Sequence, residues 1–177
     1  MTYLYFGCLI VSIGVLFWLK LFDVRNSINQ VLIFLCAVAS NFGYYLVAVA
    51  DDLGSAIVAQ IYTYAGGMFL PALFLFLVME VCHIKPHRVI NITILIIQSV
   101  AFSFVCTIGK NDLFYKDMSI SKVMGVTVLE KSYGPLHVVY PLTMVVYLAV
   151  AFFIIIHTFM VMSCHIISFA DFRSIKL

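Results

Sequence analysis

The chain has 177 residues, of which 64% are hydrophobic and 10% are charged, and its formal net charge is +2. Soluble domains carry roughly 25% charged residues, so this composition disfavours a water-soluble monomer. The small net charge also disfavours nucleic acid as a partner. The sequence therefore predicts a protein whose first partner is the lipid bilayer.

Long apolar stretches alternate with short polar breaks along the chain: Tyr3–Leu19, Val31–Val49, Ala56–Val81, Val89–Ile108 and Leu136–Met162. A hydrocarbon core about 30 Å thick needs about 20 residues per helical span. Backbone polar groups in lipid have to be bonded within helices or a closed barrel, and these stretches lack the alternation of barrel strands. We expect an all-α integral membrane protein, a five-helix transmembrane bundle that forms a single domain over residues 1–177.

Basic residues occupy alternate breaks and the tail: Lys20, Arg25, Lys85, Arg88, Arg173 and Lys176. The break after the second stretch holds Asp51 and Asp52 instead. By the positive-inside rule, this distribution predicts a multi-pass protein of the cell membrane with its N-terminus outside and its C-terminus in the cytoplasm. The first stretch lacks a basic leader and a small-residue cleavage site, so we expect it to be retained as a span.

The paired carboxylates of Asp51 and Asp52 have two interpretations. Either aspartate, or Ser55, can cap the helix that begins the third stretch, where negative charge is favourable. Charged groups at a membrane boundary also suggest a contact for a ligand or cation at the external face. We therefore treat both aspartates as candidate ligand-sensing residues.

Polar and aromatic residues gather near the outer ends of the second and third stretches. Gln60 and Tyr64 lie four residues apart on the third stretch, and Tyr44 and Tyr45 approach them if the two helices form a hairpin. Interfacial tyrosines ordinarily form an aromatic belt. The alternative is a small polar-aromatic pocket that is open to the outside and senses a ligand.

Small residues and a proline interrupt the third stretch. Ala59, Thr63 and Gly67 recur every four residues, a spacing that lets helices approach closely in lipid. Gly66 and Gly67 together with Pro71 should loosen or kink the helix. We expect the movable helix-packing seam to lie at these residues.

The remaining titratable groups offer no clear chemistry. Glu80 and His83 can pair across one turn near the inner end of the third stretch. Haem is disfavoured because the first, second and fourth stretches lack histidine partners for His137 and His157. The cysteines form no close pair, and no short catalytic motif occurs, so we expect no disulfide framework, no metal site, no cofactor and no enzyme activity.

The segment Lys110–Gly134 is the one sizeable polar piece. Two short β-prone runs flank Gly125 within it. We expect a small external β-hairpin or lid over residues 110–134.

The stretch Ala48–Gly54, with its two aspartates, leads into Ile61–Pro71, which carries Tyr, Gly and Pro. A polar segment after the fourth span closes with Tyr133-Gly134-Pro135, and an aromatic-rich fifth span follows. This pattern resembles the N-terminal seven-transmembrane input region of bacterial membrane histidine kinases and of some diguanylate cyclases. The resemblance covers the first five of that family's spans. The chain carries no histidine-kinase or cyclase signature, so we expect it to be a truncated input region without the output domain of these proteins.

The resemblance implies a membrane-embedded sensory input module that homodimerises through its helices. It implies an unknown small ligand or membrane stimulus and, in longer relatives, a cytoplasmic kinase or cyclase. The alternative is a small transporter or solute-binding membrane protein, in which Asp51, Asp52, Gln60 or Glu80 would be the polar residues that contact the solute. Transporters place such groups near the midplane on broken helices, whereas these acids lie at boundaries. An orphan fragment that associates with a partner's helices is a third reading.

Overall fold

The structure of the protein is a computed structural model that describes residues 2–21 and 27–174, with side chains in those ranges apart from Lys20 and residues 164–174. Its elements in chain order are α1 (Thr2–Leu21), α2 (Ile28–Val49), α3 (Leu53–Gly67), α4 (Leu70–Val81), α5 (Arg88–Val105), β1 (Tyr115–Val123), β2 (Val126–Tyr133), a 3₁₀ turn (Pro135–Val138) and α6 (Val139–Ser174). Within the described residues, five helical segments are long and apolar enough to cross a membrane, α3 and α4 counting as one. The predicted class, a helical membrane bundle with a small hairpin, is confirmed.

The third span lies at the centre of the bundle and is broken between α3 and α4. The break falls at Met68 and Phe69, between Gly67 and Pro71, where the sequence predicted a loosened helix. Pro71 lies in the first turn of α4, where its missing N–H leaves no helical bond unmade. In its most apolar window, 56% of the third span is buried, compared with 6% for α1 and 11% for the last span.

Helices α2 and α3 pack backbone against backbone. A Cβ atom on Gly66 would collide with the carbonyl oxygen of Cys36, and one on Gly43 would collide with the backbone of Thr63. The Ser40 hydroxyl donates to the Thr63 carbonyl at 3.0 Å. Lipid tails are as apolar as the helices, so close packing and interhelical hydrogen bonds of this kind hold the pair together.

The predicted hairpin is present and lies on the ends of α2 and α3. Met124 and Gly125 join its antiparallel strands, and both have positive φ (51° and 76°), as a type I′ turn requires. The Thr127 hydroxyl donates to the carbonyl of Ala50, just after α2, at 2.6 Å. Leu129 packs with Ala50 and with Ala56 of α3. We call this end of the bundle the hairpin end.

The opposite end holds the start of α2, the end of α4 and the start of α5. Helix α4 closes in a Schellman motif, in which the Ile84 N–H bonds the Met79 carbonyl at 2.8 Å and His83 has a φ of 56°. The expected Glu80–His83 pair is replaced by other contacts. Glu80 Oε2 accepts hydrogen bonds from the Ser27 hydroxyl and, at 2.9 Å, from Asn29 Nδ2, because the first turn of α2 lies beside this carboxylate.

The remaining core joins α4 to α6, where Ala72 and Leu75 pack with Tyr147 and Ala151. Large apolar side chains on the outer faces of α1, α5 and α6 are exposed. Since these helices span a membrane, their exposed apolar faces contact lipid.

Candidate functional site

An aromatic cluster fills the hairpin end between α3, the hairpin and the start of the last span. We call it the Tyr–His cluster, and its members are Tyr64, Phe114, Tyr115, Tyr133, His137 and Tyr140. Tyr64 is 7% exposed and Tyr115 is 1% exposed. The centre of the cluster is therefore interior rather than an aromatic belt facing lipid, and Tyr133, at 58% exposure, lies at its edge.

The hydroxyl of Tyr64 is the centre of the cluster. Its Oη lies 2.5 Å from the Tyr115 Oη and 3.3 Å from His137 Nε2. Tyr64 belongs to α3, Tyr115 to β1 and His137 to the 3₁₀ turn that leads into α6. One hydroxyl thus connects the central span, the hairpin and the last span.

The Tyr115 phenol is a hydrogen-bonding group that keeps its proton. Burial raises the pKa of Tyr115, and the hydrogen bond with Tyr64 raises it further. Lys131 Nζ lies 5.3 Å from the centre of the Tyr115 ring, a cation–π geometry, and desolvation lowers the pKa of Lys131. The cluster is therefore neutral at its centre, with one partly desolvated cation on its hairpin side.

Gly134 allows the chain to close over the cluster. A Cβ atom there would collide with the carbonyl oxygens of Asp112 and Leu113. The Gly134 N–H bonds the Phe114 carbonyl and the Leu136 N–H bonds the Leu113 carbonyl, each at 2.9 Å. The Tyr133-Gly134-Pro135 motif singled out in the sequence is thus the strand-to-helix crossing that places Tyr133 and His137 together, with their ring centres 4.1 Å apart.

The cluster also reaches the break in the third span. The Tyr140 ring packs edge-on against Tyr64 at 5.2 Å, and a Cβ atom on Gly67 would lie 3.5 Å from the Tyr140 hydroxyl. Met68, at the break itself, is fully buried in the same core as Tyr64 and Tyr115. The cluster is therefore in direct contact with the residues at which α3 ends.

The structure brings only Tyr64, among the predicted ligand-sensing residues, into this cluster. Gln60 is buried one turn earlier on α3, at 5% exposure. The Tyr44 ring stacks on Tyr5, and Tyr45 packs on Phe6, so both tyrosines face α1.

The two aspartates lie at the hairpin end, outside the cluster. Asp52 caps α3 through a 2.9 Å hydrogen bond from the Ser55 N–H to its Oδ1, and Asp51 lies 3.7 Å from Lys122 Nζ. Both aspartates line a shallow groove of about 510 Å³. The seam residues Gly66 and Gly67 face α2 and Tyr140 respectively.

Sequence reasoning missed Tyr115, Phe114 and Tyr140, and it weighed His137 only as a haem ligand. The available signal was the density of rings on both sides of the hairpin. No group of three or more His, Cys, Asp or Glu side chains that could hold a metal ion occurs in the part of the chain that the structure describes.

The sequence model of the family described as "N-terminal 7TM region of histidine kinase" matches residues 3–166. The chain belongs to this family. Neither a curated protein nor a solved structure matches it. The 7TM region is the membrane sensory input part of these kinases and is not their catalytic part. The hairpin and the Tyr–His cluster are accordingly features of a sensory region.

Proposed function

We propose that this 7TM input region receives its stimulus at the hairpin end and passes it to a cytoplasmic histidine kinase or diguanylate cyclase. In this proposal the N-terminus and the hairpin are outside the cell, the C-terminus is in the cytoplasm, and the module works as a homodimer. The basic residues at the opposite end, among them Lys85 and Arg88, support this orientation.

The observation that carries the proposal is the position of the Tyr64 hydroxyl. A ligand or membrane stimulus shifts a conformational equilibrium only by interacting differently with the two states. A stimulus that moves the hairpin changes the Tyr64–Tyr115 bond, and one that moves the last span changes the contact between Tyr64 and His137. Tyr64 lies one turn before the break at Met68, so α3 can reorient on α4 when those bonds change.

The transporter alternative receives less support. Among the described side chains, no Asp, Glu, Lys or Arg is buried. Asp51 and Asp52 lie exposed at one end, and Glu80 is exposed at the other. A transporter needs polar groups near the midplane of the bilayer, where the buried polar side chains that the structure describes are neutral ones such as Gln60 and Gln98.

A chimaera tests the proposal directly. Residues 3–166 replace the matching part of the input region in a histidine kinase of the same family, and autophosphorylation is measured in membrane vesicles. Tyr64→Phe keeps the ring and removes the hydroxyl. We expect it to change basal autophosphorylation by about fivefold, because one buried hydrogen bond is worth roughly 1 kcal/mol.

Tyr62→Phe is the matched control. Tyr62 lies on the same helix, is 48% exposed, and packs its ring against Phe42 rather than against the cluster. It should leave autophosphorylation unchanged. The proposal fails if Tyr64→Phe and Tyr62→Phe behave alike in chimaeras that are inserted and thermally stable to the same degree.

The orientation is tested separately with a reporter that is active only outside the cell. Insertion after Gly125, at the exposed turn of the hairpin, should give an active reporter. Insertion after Pro86, between α4 and α5, should give an inactive one. The reverse pattern would invert the proposed topology.

A further inference from the structure

The opposite end of the bundle carries a groove of about 720 Å³ between the start of α2, the end of α4 and the start of α5. Its mouth is polar, with Asn29, Glu80, Lys85 and Asn91 among its lining residues. Its deeper walls are apolar and include Phe76 and Leu95. Phe76 lies four residues before Glu80 in α4, and Leu95 lies four residues after Asn91 in α5. At about 1.5 Å per residue, both apolar side chains are about 6 Å further from the end of the bundle than their polar neighbours.

Opposite charges share this groove without pairing. Among the described residues, the one Lys–carboxylate contact within 4.0 Å is Lys122 with Asp51, at the other end of the bundle. Lys85 and Glu80 therefore face the same space as separate charges. Two unlike charges held apart in one groove are complementary to a molecule that carries both signs.

Two acceptor oxygens on residues that line the groove also lack a hydrogen bond from any described residue. Glu80 Oε2 accepts from Ser27 and Asn29, whereas Glu80 Oε1 accepts from no described residue. Asn91 Oδ1 is buried and has no hydrogen-bond partner in the described part of the chain. These oxygens can only accept hydrogen bonds, so the complementary group on an occupant is an N–H or O–H donor, and the charge of the Glu80 carboxylate favours a donor that is also a cation.

We propose that this groove binds a phospholipid whose headgroup carries a primary ammonium. The ammonium donates to Glu80, the phosphate lies against Lys85, and an acyl chain follows Phe76 and Leu95. A headgroup that carries only negative charge could place its phosphate against Lys85, but it would bring no cation to the Glu80 carboxylate. A quaternary ammonium has no N–H to donate. The site is independent of the receptive face proposed at the hairpin end.

Native mass spectrometry of the full chain in detergent tests the proposal. The protein is titrated with phosphatidylethanolamine and with phosphatidylcholine of identical acyl chains. We expect phosphatidylethanolamine to bind about tenfold more tightly, because a hydrogen bond to a charged group accounts for roughly a tenfold difference. Equal binding of the two lipids, or tighter binding of phosphatidylglycerol than of either, would overturn it.

Paired variants locate the site. Glu80→Gln should abolish the preference for phosphatidylethanolamine, whereas Glu130→Gln makes the same chemical change on the exposed face of β2 and should not. Glu80 also holds the start of α2, so Lys85→Gln provides a second variant at a side chain that makes no hydrogen bond to a described residue. It should weaken both lipids several-fold through the phosphate, and Lys116→Gln in β1 is its control. A preference that survives Glu80→Gln, together with affinities that survive Lys85→Gln, would place the lipid elsewhere.

Water-soluble glycerophosphoethanolamine distinguishes a lipid site from a site for the headgroup alone. The apolar walls should make the lipid bind far better, so an equal concentration of the soluble compound should displace none of it. Displacement at equal concentration would overturn the assignment to a lipid.

Discussion

The side-chain amide of Gln98 in α5 donates a hydrogen bond to the main-chain carbonyl of Met68, at the break in the third span. A carbonyl exposed by a broken helix has no water to bond inside a membrane, so a neighbouring helix has to supply the donor. Gln98 is 1% exposed, and its other polar atom, Oε1, has no partner among the described residues. The break is thus stabilised by a residue that carries an unmet polar group of its own.

Gln98→Met should destabilise the protein by about 1 kcal/mol, since interhelical hydrogen bonds in membranes are worth up to roughly 1.7 kcal/mol. The free energy of unfolding in mixed micelles, obtained from a detergent titration, measures the change. Ser99→Ala, at the adjacent exposed position, is the control. A Gln98→Met variant more stable than the parent would mean that burying the amide costs more than its bond contributes.

Gly66→Ala should destabilise the protein by about 1–3 kcal/mol, the usual cost of overpacking. The added methyl group meets the backbone of α2 at Cys36, which cannot rotate away as a side chain could. The measurement is the thermal unfolding midpoint in detergent.

Gly14→Ala is the matched control for this helix contact, because nothing lies within 4 Å of a Cβ atom at Gly14. It should be neutral or stabilising by up to about 1 kcal/mol through helix propensity. Equal effects of the two substitutions would contradict the close approach of α2 and α3.

Asp52 should make stability depend on acid pH. The Ser55 backbone N–H and hydroxyl hold the pKa of Asp52 below its ordinary value, because both donate to the carboxylate. A lowered folded-state pKa adds stability above the unfolded-state pKa of about 4, and that stability is lost as the pH falls through the folded-state value.

Asp52→Asn isolates this effect, because asparagine also caps helices but does not titrate. Unfolding midpoints of the parent and the variant, measured from neutral pH down to about pH 3, should converge at the acid end. Asp51 provides the control, because its carboxylate faces Lys122 from an exposed position. The Asp51→Asn variant should keep the fall in unfolding midpoint that the parent shows toward acid pH. If the difference in unfolding midpoint between the parent and Asp52→Asn does not shrink toward acid pH, this linkage is excluded.

Much of the fold follows from the sequence because three of its signals are strong. Twenty-residue apolar runs have few solutions in lipid, so the spans could be placed to within a few residues. Gly125 between β-prone runs predicted the hairpin, and Pro71 after two glycines predicted the interruption of the third span. The hairpin and the interruption depend on local signals that act through the backbone of a few neighbouring residues, and the spans depend on the composition of each run.

The candidate site could not be assembled in the same way. Tyr64 was singled out, but its partners Tyr115 and His137 are 51 and 73 residues away along the chain. Hydrophobic periodicity reveals which face of a soluble helix is buried, but in a membrane both faces are apolar and that signal fades. This is why the orientation of Tyr44 and Tyr45 toward α1 could not be read from the sequence.

The glycine contacts at Gly43 and Gly66 prevent α2 and α3 from sliding along each other, since a step of one residue in either direction would bring side-chain atoms against backbone. The hairpin rests on the ends of both helices through Thr127 and Leu129. It therefore rests on two helices that are interlocked by backbone contacts, and the break at Met68 is the first interruption of the third span below it.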